Sequence, residues 1–301
     1  MKKEMRGNIP ERIYNAYDKL TPSERRIADV LFDSDLMVGL ENVATLAQRA
    51  KVSGPTVIRF ATKLGFEGFP QLQAVLREDL GARLASPLDH YKQVKWHGDT
   101  SVSIATAARV FNAGVTHTLN RLRSSTLKKV CELVLNPSRS VHLLGGRFTQ
   151  HIAEMLWGHL HQLRPDTHIM HSGVVSLRES ALDFGKGDIL IVFDIRRYQS
   201  DIVELARVAR SNGATLVLIT DPLLSPIVKW AKHVFICDLD SPSLHLSLVP
   251  CLALVEAFIA ELNVAAGDAG RERIARLEEL RGETRVDESR PPAAARKKPA
   301  R

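Results

Sequence analysis

The sequence predicts two domains: an N-terminal all-α helix-turn-helix bundle, and a C-terminal α/β three-layer sandwich built on a parallel sheet. Three observations predict it. Apolar residues recur at helical spacing within the first 85 residues, interrupted by short, capped turns. From residue 140 onward, short apolar runs alternate with helical segments, the pattern of a parallel sheet covered on both faces. Between the two, SPLDHYKQVKWHGDTS (86–101) mixes Pro, Gly, His and charge without a period, and reads as a linker. The 301 residues suffice for two domains of roughly 100–200 residues each. The expected division is 1–85, the linker 86–101, 102–270, and a disordered basic tail over 285–301.

Composition narrows the class. Hydrophobic residues make up 45% and charged residues 25%, the balance of a globular protein. No run approaches the roughly 18 consecutive apolar residues of a membrane span; the 246–260 stretch is interrupted by Pro250 and Glu256. MKKEMRGNIPERIY has basic residues but no apolar core, so it does not read as a secretory signal. Cys131, Cys237 and Cys251 lie far apart without CxxC spacing, and read as core residues of a reducing cytoplasm. No cofactor, metal or membrane is expected.

The net charge of +7 is unevenly placed. SRPPAAARKKPAR (289–301) carries five basic residues and no acid, which suits a solvated end or nonspecific attraction to polyanions. Between Arg49 and Leu64 stand Arg49, Lys51, Arg59 and Lys63 with no acid among them, although the surrounding segment is rich in Asp and Glu. A local surplus of this kind suggests a defined polyanion contact.

The elements follow in order. Thr21-Pro22-Ser23-Glu24 opens a helix: Thr21 suits the N-cap, Pro22 the first helical position, and Glu24 can reach back to complete a capping box. ENVATLAQRA places Val43, Leu46, Ala47 and Ala50 on one helical face, and Lys51-Val52-Ser53 forms the turn. Ser53 then caps GPTVIRFATKLG, in which Val57, Ala61 and Leu64 point to the core while Thr56, Arg59 and Lys63 share another face. Two short helices on a tight turn, the second bearing cationic donors, have the geometry that enters the major groove. A bundle with a merely wet charged face would show the same spacing.

Farther along, helical patterns at 102–121 and 125–135 precede SVHLLGG (140–146), a helix at 149–163, HIMH (168–171) and a helix near 174–183. DILIVFD (188–194), a helix at 200–212, ATLVLITD (214–221), a short helix near 225–231, HVFICD (233–238) and a closing helix at 246–265 complete the unit. That last helix, with Leu246, Val249, Leu252, Leu254, Val255, Phe258 and Leu262, serves either its own sheet or a second subunit. Ligands of such sheets bind beyond the carboxyl ends of the strands. Gly145-Gly146-Arg147-Phe148-Thr149 and Asp194-Ile195-Arg196-Arg197-Tyr198-Gln199-Ser200 are strand-to-helix turns at two such ends. Gly145, Gly146, Arg147, Thr149, Arg196, Arg197 and Ser200 are therefore expected to hold a small anion, because the guanidinium fork bonds phosphate and carboxylate bidentately. Salt bridges to Asp194, Asp201 or Glu204, subunit packing, or helix capping by Thr149 and Gln150 are the alternatives. His151 and Glu154, and His159 and His161, read as residues of a helix surface or an interface rather than metal ligands.

The spacing of LTPSERRIADVLFDS and ENVATLAQRAKVSGPTVIRFATKLGFEGFPQLQ resembles the DNA-binding domain of the RpiR-type (MurR-type) sugar-metabolism regulators over about residues 5–80. The VSxxTVxRFxxKLGFxGF stretch, Val52 to Phe69, carries the resemblance. It implies that Ser53, Thr56, Arg59 and Lys63 read an operator, with Arg49 and Lys51 in the same basic patch. Phe60, Phe66 and Phe69 are expected to be core or helix-packing residues, with a place near the groove the alternative for Phe60. Residues 105–265 resemble in layout the sugar isomerase (SIS) domain, which implies a flavodoxin-like topology and a sugar-phosphate site. Two motifs depart from that family. GGRFT has Arg147 for the second glycine of GxGxS and Thr149 for its serine. DIRRYQ replaces SxSGxT with Asp194, Arg196, Arg197 and Gln199.

Three functions are consistent with the sequence: a DNA-binding transcriptional regulator that senses an anionic metabolite, a sugar-phosphate isomerase with an accessory helical domain, and a chromosome-associated protein with a degenerate pocket. The first is favoured, because His245 and Glu256 lie in no motif that makes either the base an isomerase requires. Its expected partners are a pseudo-palindromic operator and a second copy of the chain, as a homodimer or homotetramer.

Overall fold

Reciprocal caps decide where the N-terminal helices begin. In the computed structural model, which describes residues 8–84, 104–171, 177–243 and 245–284, the linker 86–101 and the tail 285–301 lie outside the described residues. The Thr21 hydroxyl accepts the Glu24 N–H while the Glu24 carboxylate accepts the Thr21 N–H, so the expected capping box starts α2 (Pro22–Asp33). Asn42 caps α3 (Val43–Arg49) through the Thr45 N–H. Ahead of both stands α1 (Ile9–Ala16), which sequence patterning did not anticipate. Asn8 caps it, and Asp79 of α5 (Phe69–Leu84) accepts the Ile9 N–H at 2.7 Å from 70 residues away.

Lys51 takes a left-handed conformation, φ 52°, to turn α3 into α4 (Gly54–Lys63). Val52 plugs the corner, half-buried against the bundle core. Ser53 is the N-cap of α4 as expected, but its hydroxyl bonds Thr56 Oγ1 at 2.8 Å instead of a backbone N–H. Val57, Phe60, Ala61 and Leu64 are each at most 1% exposed, and Phe66 and Phe69 join them. These aromatic residues are core, and the burial of Phe60 answers the alternative of a place near the groove.

The second half begins with α6 (Ile104–Arg121) and α7 (Ser124–Leu135). Five parallel strands follow: β1 (Val141–Gly145), β2 (Thr167–Ile169), β3 (Ile189–Phe193), β4 (Thr215–Thr220) and β5 (His233–Ile236). Their spatial order is β2-β1-β3-β4-β5, the flavodoxin-like arrangement. The strand pleat divides their side chains between two cores. Leu143, Ile191, Phe193, Val217 and Ile219 face α7 and α8 (Gln150–Leu163). Leu144, Leu190, Val192, Leu216 and Leu218 face α9 (Leu177–Ser180) and α10 (Ser200–Ser211). The segment near 225–231 is a single 3-10 turn, Pro226–Lys229.

The closing helix departs from expectation in length. It is α11, Val249–Thr284, and Gly267 at φ 55° breaks its regular geometry near the expected end at 265. Over Val249–Gly282 it is long and apolar enough to cross a membrane by length and composition. Counting consecutive apolar residues missed this. In the fold, Cys251, Leu254, Val255, Phe258, Ile259 and Leu262 are buried on the protein's own sheet, which answers where its main apolar face packs.

Candidate DNA-contacting helix and effector crevice

Burial of Val57, Phe60, Ala61 and Leu64 leaves the opposite face of α4 to solvent. Pro55, Ile58, Arg59 and Thr62 are exposed there, and Thr56 is half-buried at the flank. Arg59 donates to Thr56 Oγ1 at 3.1 Å, so Ser53, Thr56 and Arg59 form one hydrogen-bonded row along the helix. No carboxylate lies among α4 residues to compete for Arg59.

The remaining basic residues are placed differently. Lys63 crosses to α2, donating to Glu24 at 2.6 Å and to the Lys19 carbonyl at 2.8 Å, and its side chain is 35% exposed. Burial alone would raise the Glu24 carboxyl, but bonds from Lys63 and Thr21 hold it below its ordinary value. Lys63 thus ties α4 to the capping box. Arg49 pairs with Glu41 at 3.0 Å on the surface, and Lys51 is exposed at the corner.

The crevice arises from topology. α8 follows β1 onto one face of the sheet, whereas α10 follows β3 onto the other. The carboxyl ends of β1 and β3 are therefore the point where the winding reverses and ligands bind. Both predicted turns open there. Gly145 must be glycine, since a Cβ would run into the backbone of Thr149 and Gln150.

Successive N–H groups in this turn are already bonded within the protein. The Gly145 N–H donates to Gln150 Oε1 at 2.9 Å and the Gly146 N–H to Thr149 Oγ1 at 2.8 Å. The Arg147 N–H donates across the crevice to Gln199 Oε1 at 2.7 Å. Thr149 is buried, and its hydroxyl donates to the Phe193 carbonyl at 2.9 Å, joining β1 to β3. Arg147, Arg197 and Ser200 are exposed at the rim, and Arg196 is half-buried with Nε unpaired. The Arg147 guanidinium lies over Phe148, 5.4 Å from the ring centroid.

Gln199 is the residue that residue-by-residue reading undervalued. It occupies the place of a family threonine, and that substitution was its only signal. Asp194 is similar. Buried at 1% exposure, it accepts the Ser225 hydroxyl at 2.5 Å and the Gln199 N–H at 3.4 Å. Burial pushes its carboxyl up to about 7 against these bonds, and Asp221 adds to the rise. Asp221 in turn accepts from the Arg196 N–H, the Tyr198 hydroxyl and the Leu223 N–H. An internal carboxylate and a carboxamide stand where the family pattern would have serine and threonine hydroxyls.

His151 and His171 flank Glu154 at the surface, their Nδ1 atoms 3.5 and 3.6 Å from its carboxylate, whereas His161 packs against Trp157 rather than His159. Among the described residues no cluster of three His, Cys, Asp or Glu side chains is arranged to hold a metal.

Comparison with known proteins accords with both halves. Residues 7–83 match the helix-turn-helix domain of the rpiR family, and residues 134–261 match the SIS domain. The chain is 27% identical over 237 residues to an uncharacterized HTH-type transcriptional regulator of Haemophilus influenzae, covering 76% of this chain and 80% of that one. It is 23% identical over 287 residues to the HTH-type transcriptional regulator HexR of Escherichia coli, covering 93% and 96%. The fold is similar to that of the Vibrio vulnificus NanR protein, solved in complex with ManNAc-6P, at a TM-score of 0.51 and 16% identity over 91% of this chain and 97% of that one. The two domain matches and these relatives define a helix-turn-helix transcriptional regulator that carries a SIS domain. Within that class the chain is of the RpiR type, a DNA-binding domain followed by a SIS domain.

Proposed function

We propose that α4 is the recognition helix of a non-enzymatic, cytoplasmic regulator. Ser53, Thr56 and Arg59 would meet base edges, while Arg49, Lys51 and the Lys63 end of the helix would meet phosphates. The observation that carries this reading is the hydrogen-bonded Ser53–Thr56–Arg59 row, exposed at Ser53 and Arg59, with no acid on its helix. Subunit pairing through the SIS domains sets two such helices about one DNA turn or a multiple apart, and so favours a pseudo-palindromic operator.

The effector is a small anion, a sugar phosphate or related carbohydrate derivative, held at the crevice of Gly145, Gly146, Arg147, Thr149, Arg196, Arg197 and Ser200. NanR's complex with a phosphosugar supports the ligand class. The bonding observed in the crevice adds a condition: Gln199 must leave the Arg147 N–H for backbone groups to reach a phosphate. Thr149 acts by shaping the turn. The enzyme reading is disfavoured by placement, since Asp194 and Asp221 are 1% and 0% exposed and held by internal donors, so neither carboxylate faces a substrate carbon. Effector preference for one arrangement of the domains would shift operator affinity by linkage.

Fluorescence anisotropy on an operator selected from random DNA tests the first half, with wild type binding and Arg59→Ala binding more weakly. A thermal-shift screen of sugar phosphates and sugar acids tests the second, through loss of the response in an Arg196→Ala, Arg197→Ala double variant.

A further inference from the structure

One exposed side chain on α4 is of the wrong chemistry for a merely wet surface. Ile58 is 47% exposed, and in the first 84 residues only Met37 is a comparably exposed large apolar side chain among those described. It sits beside Arg59 and one turn before Thr62, whose hydroxyl bonds the Ile58 carbonyl at 3.2 Å, so it belongs to the outward ridge and not to its margin. A β-branched residue at an exposed helical position is favoured neither by hydration nor by helix propensity. The helix would hold equally well with Lys or Gln there.

We propose that Ile58 reads thymine: its side chain packs on the C5-methyl group of a thymine in the major groove, next to the base contacted by Arg59. The rest of the face commits the occupant to DNA. Arg59, Thr56 and Ser53 provide donors within the same ridge, and α4 carries no acid, so the surface complements a polyanion. Thymine is the one base that presents a methyl group in that groove, and apolar side chains recognise it there. This assignment rests on α4 being the recognition helix, and goes beyond it by naming a specificity-determining residue and its base.

The test uses the full chain and DNA selected from random pools by wild type and by Ile58→Ala. Wild type is expected to enrich a thymine in each half-site that Ile58→Ala no longer enriches. Replacing that thymine with deoxyuridine, which deletes only the methyl group, should weaken wild-type binding about fourfold per half-site contact, the equivalent of one buried methyl. The same replacement should leave Ile58→Ala unchanged, and Ile58→Val should fall between. Equal deoxyuridine effects in both proteins, or a thymine preference that survives Ile58→Ala, would overturn the assignment while leaving α4 as the recognition helix. Enrichment of no sequence by wild type would overturn both readings together. If Ile58→Ala folds poorly, Ile58→Val makes the comparison, and a deoxyuridine effect in that variant as large as in wild type would overturn the assignment.

Discussion

The Gln199 carboxamide oxygen accepts the Arg147 backbone N–H at 2.7 Å, and so latches the loop after β3 onto the loop after β1. A Cβ on Gly146 would lie 2.8 Å from the same oxygen, which shows how closely the latch fits. The donor it occupies is one that a phosphate at a glycine turn would use.

Opening the latch should therefore raise anion affinity. Gln199→Thr removes the acceptor and leaves a small hydroxyl. Isothermal titration with inorganic phosphate and sugar phosphates should show tighter binding than wild type, with operator affinity in their absence unchanged. Weaker binding in the variant would mean that Gln199 itself holds the effector.

Arg59 and Lys63 should separate in their effects. Arg59→Ala should cost about 1–3 kcal/mol of operator affinity and relax base preference, because its guanidinium is free of carboxylates and faces outward. Lys63→Ala breaks the pair with Glu24, so it should lower the stability of the N-terminal domain by about 0.2–1 kcal/mol, a range suited to a partly exposed pair. Its effect on DNA should be mainly a shallower salt dependence. Anisotropy across a salt series, with urea unfolding in parallel, distinguishes the two.

Asp194 should make stability depend on pH. Its folded-state carboxyl, near 7, lies above the ordinary 3.8, so the stabilisation it gives is complete below about pH 4 and is lost as pH rises through about 7. Asp194→Asn cannot ionise. Its advantage over wild type in urea midpoint should be larger at pH 8 than at pH 5; an equal difference at both would contradict the assignment.

Arg83 joins the two halves. Its guanidinium donates to the carbonyls of Leu223 and Leu224 at 2.6 Å each, and lies 5.4 Å from the ring centroid of Tyr198, which bonds Asp221 at the crevice. Arg83→Leu should diminish the change in operator affinity that a binding sugar phosphate produces, while leaving the affinity for that sugar phosphate nearly intact. Anisotropy with and without ligand measures this directly.

Elements defined by local rules were legible from the chain alone. The capping box of Thr21 and Glu24, the corner at Lys51-Val52-Ser53, the inward phenylalanines and all five strands depend on neighbours a few residues away or on simple periodicity, and both express themselves as pattern. The helix α1 did carry local signals, Asn8 as N-cap, Pro10 in the first turn and Ile9 and Ile13 four residues apart, but they span only two turns, and its anchor Asp79 is a partner that only folding brings near. Gly267 could not be read as the break in a longer helix, because a left-handed glycine leaves no mark of its own in composition.

By itself, then, the sequence determined the two-domain class, the order of the sheet's strands along the chain and the cationic helix. Tertiary structure decided which charges remain available. Lys63 is committed to Glu24, Arg59 is left outward, and Gln199 and Asp194 fill the anion crevice from within. The reason is physical: hydrogen bonds and ion pairs between elements depend on distances set by packing, whereas periodicity and capping depend only on separation along the chain.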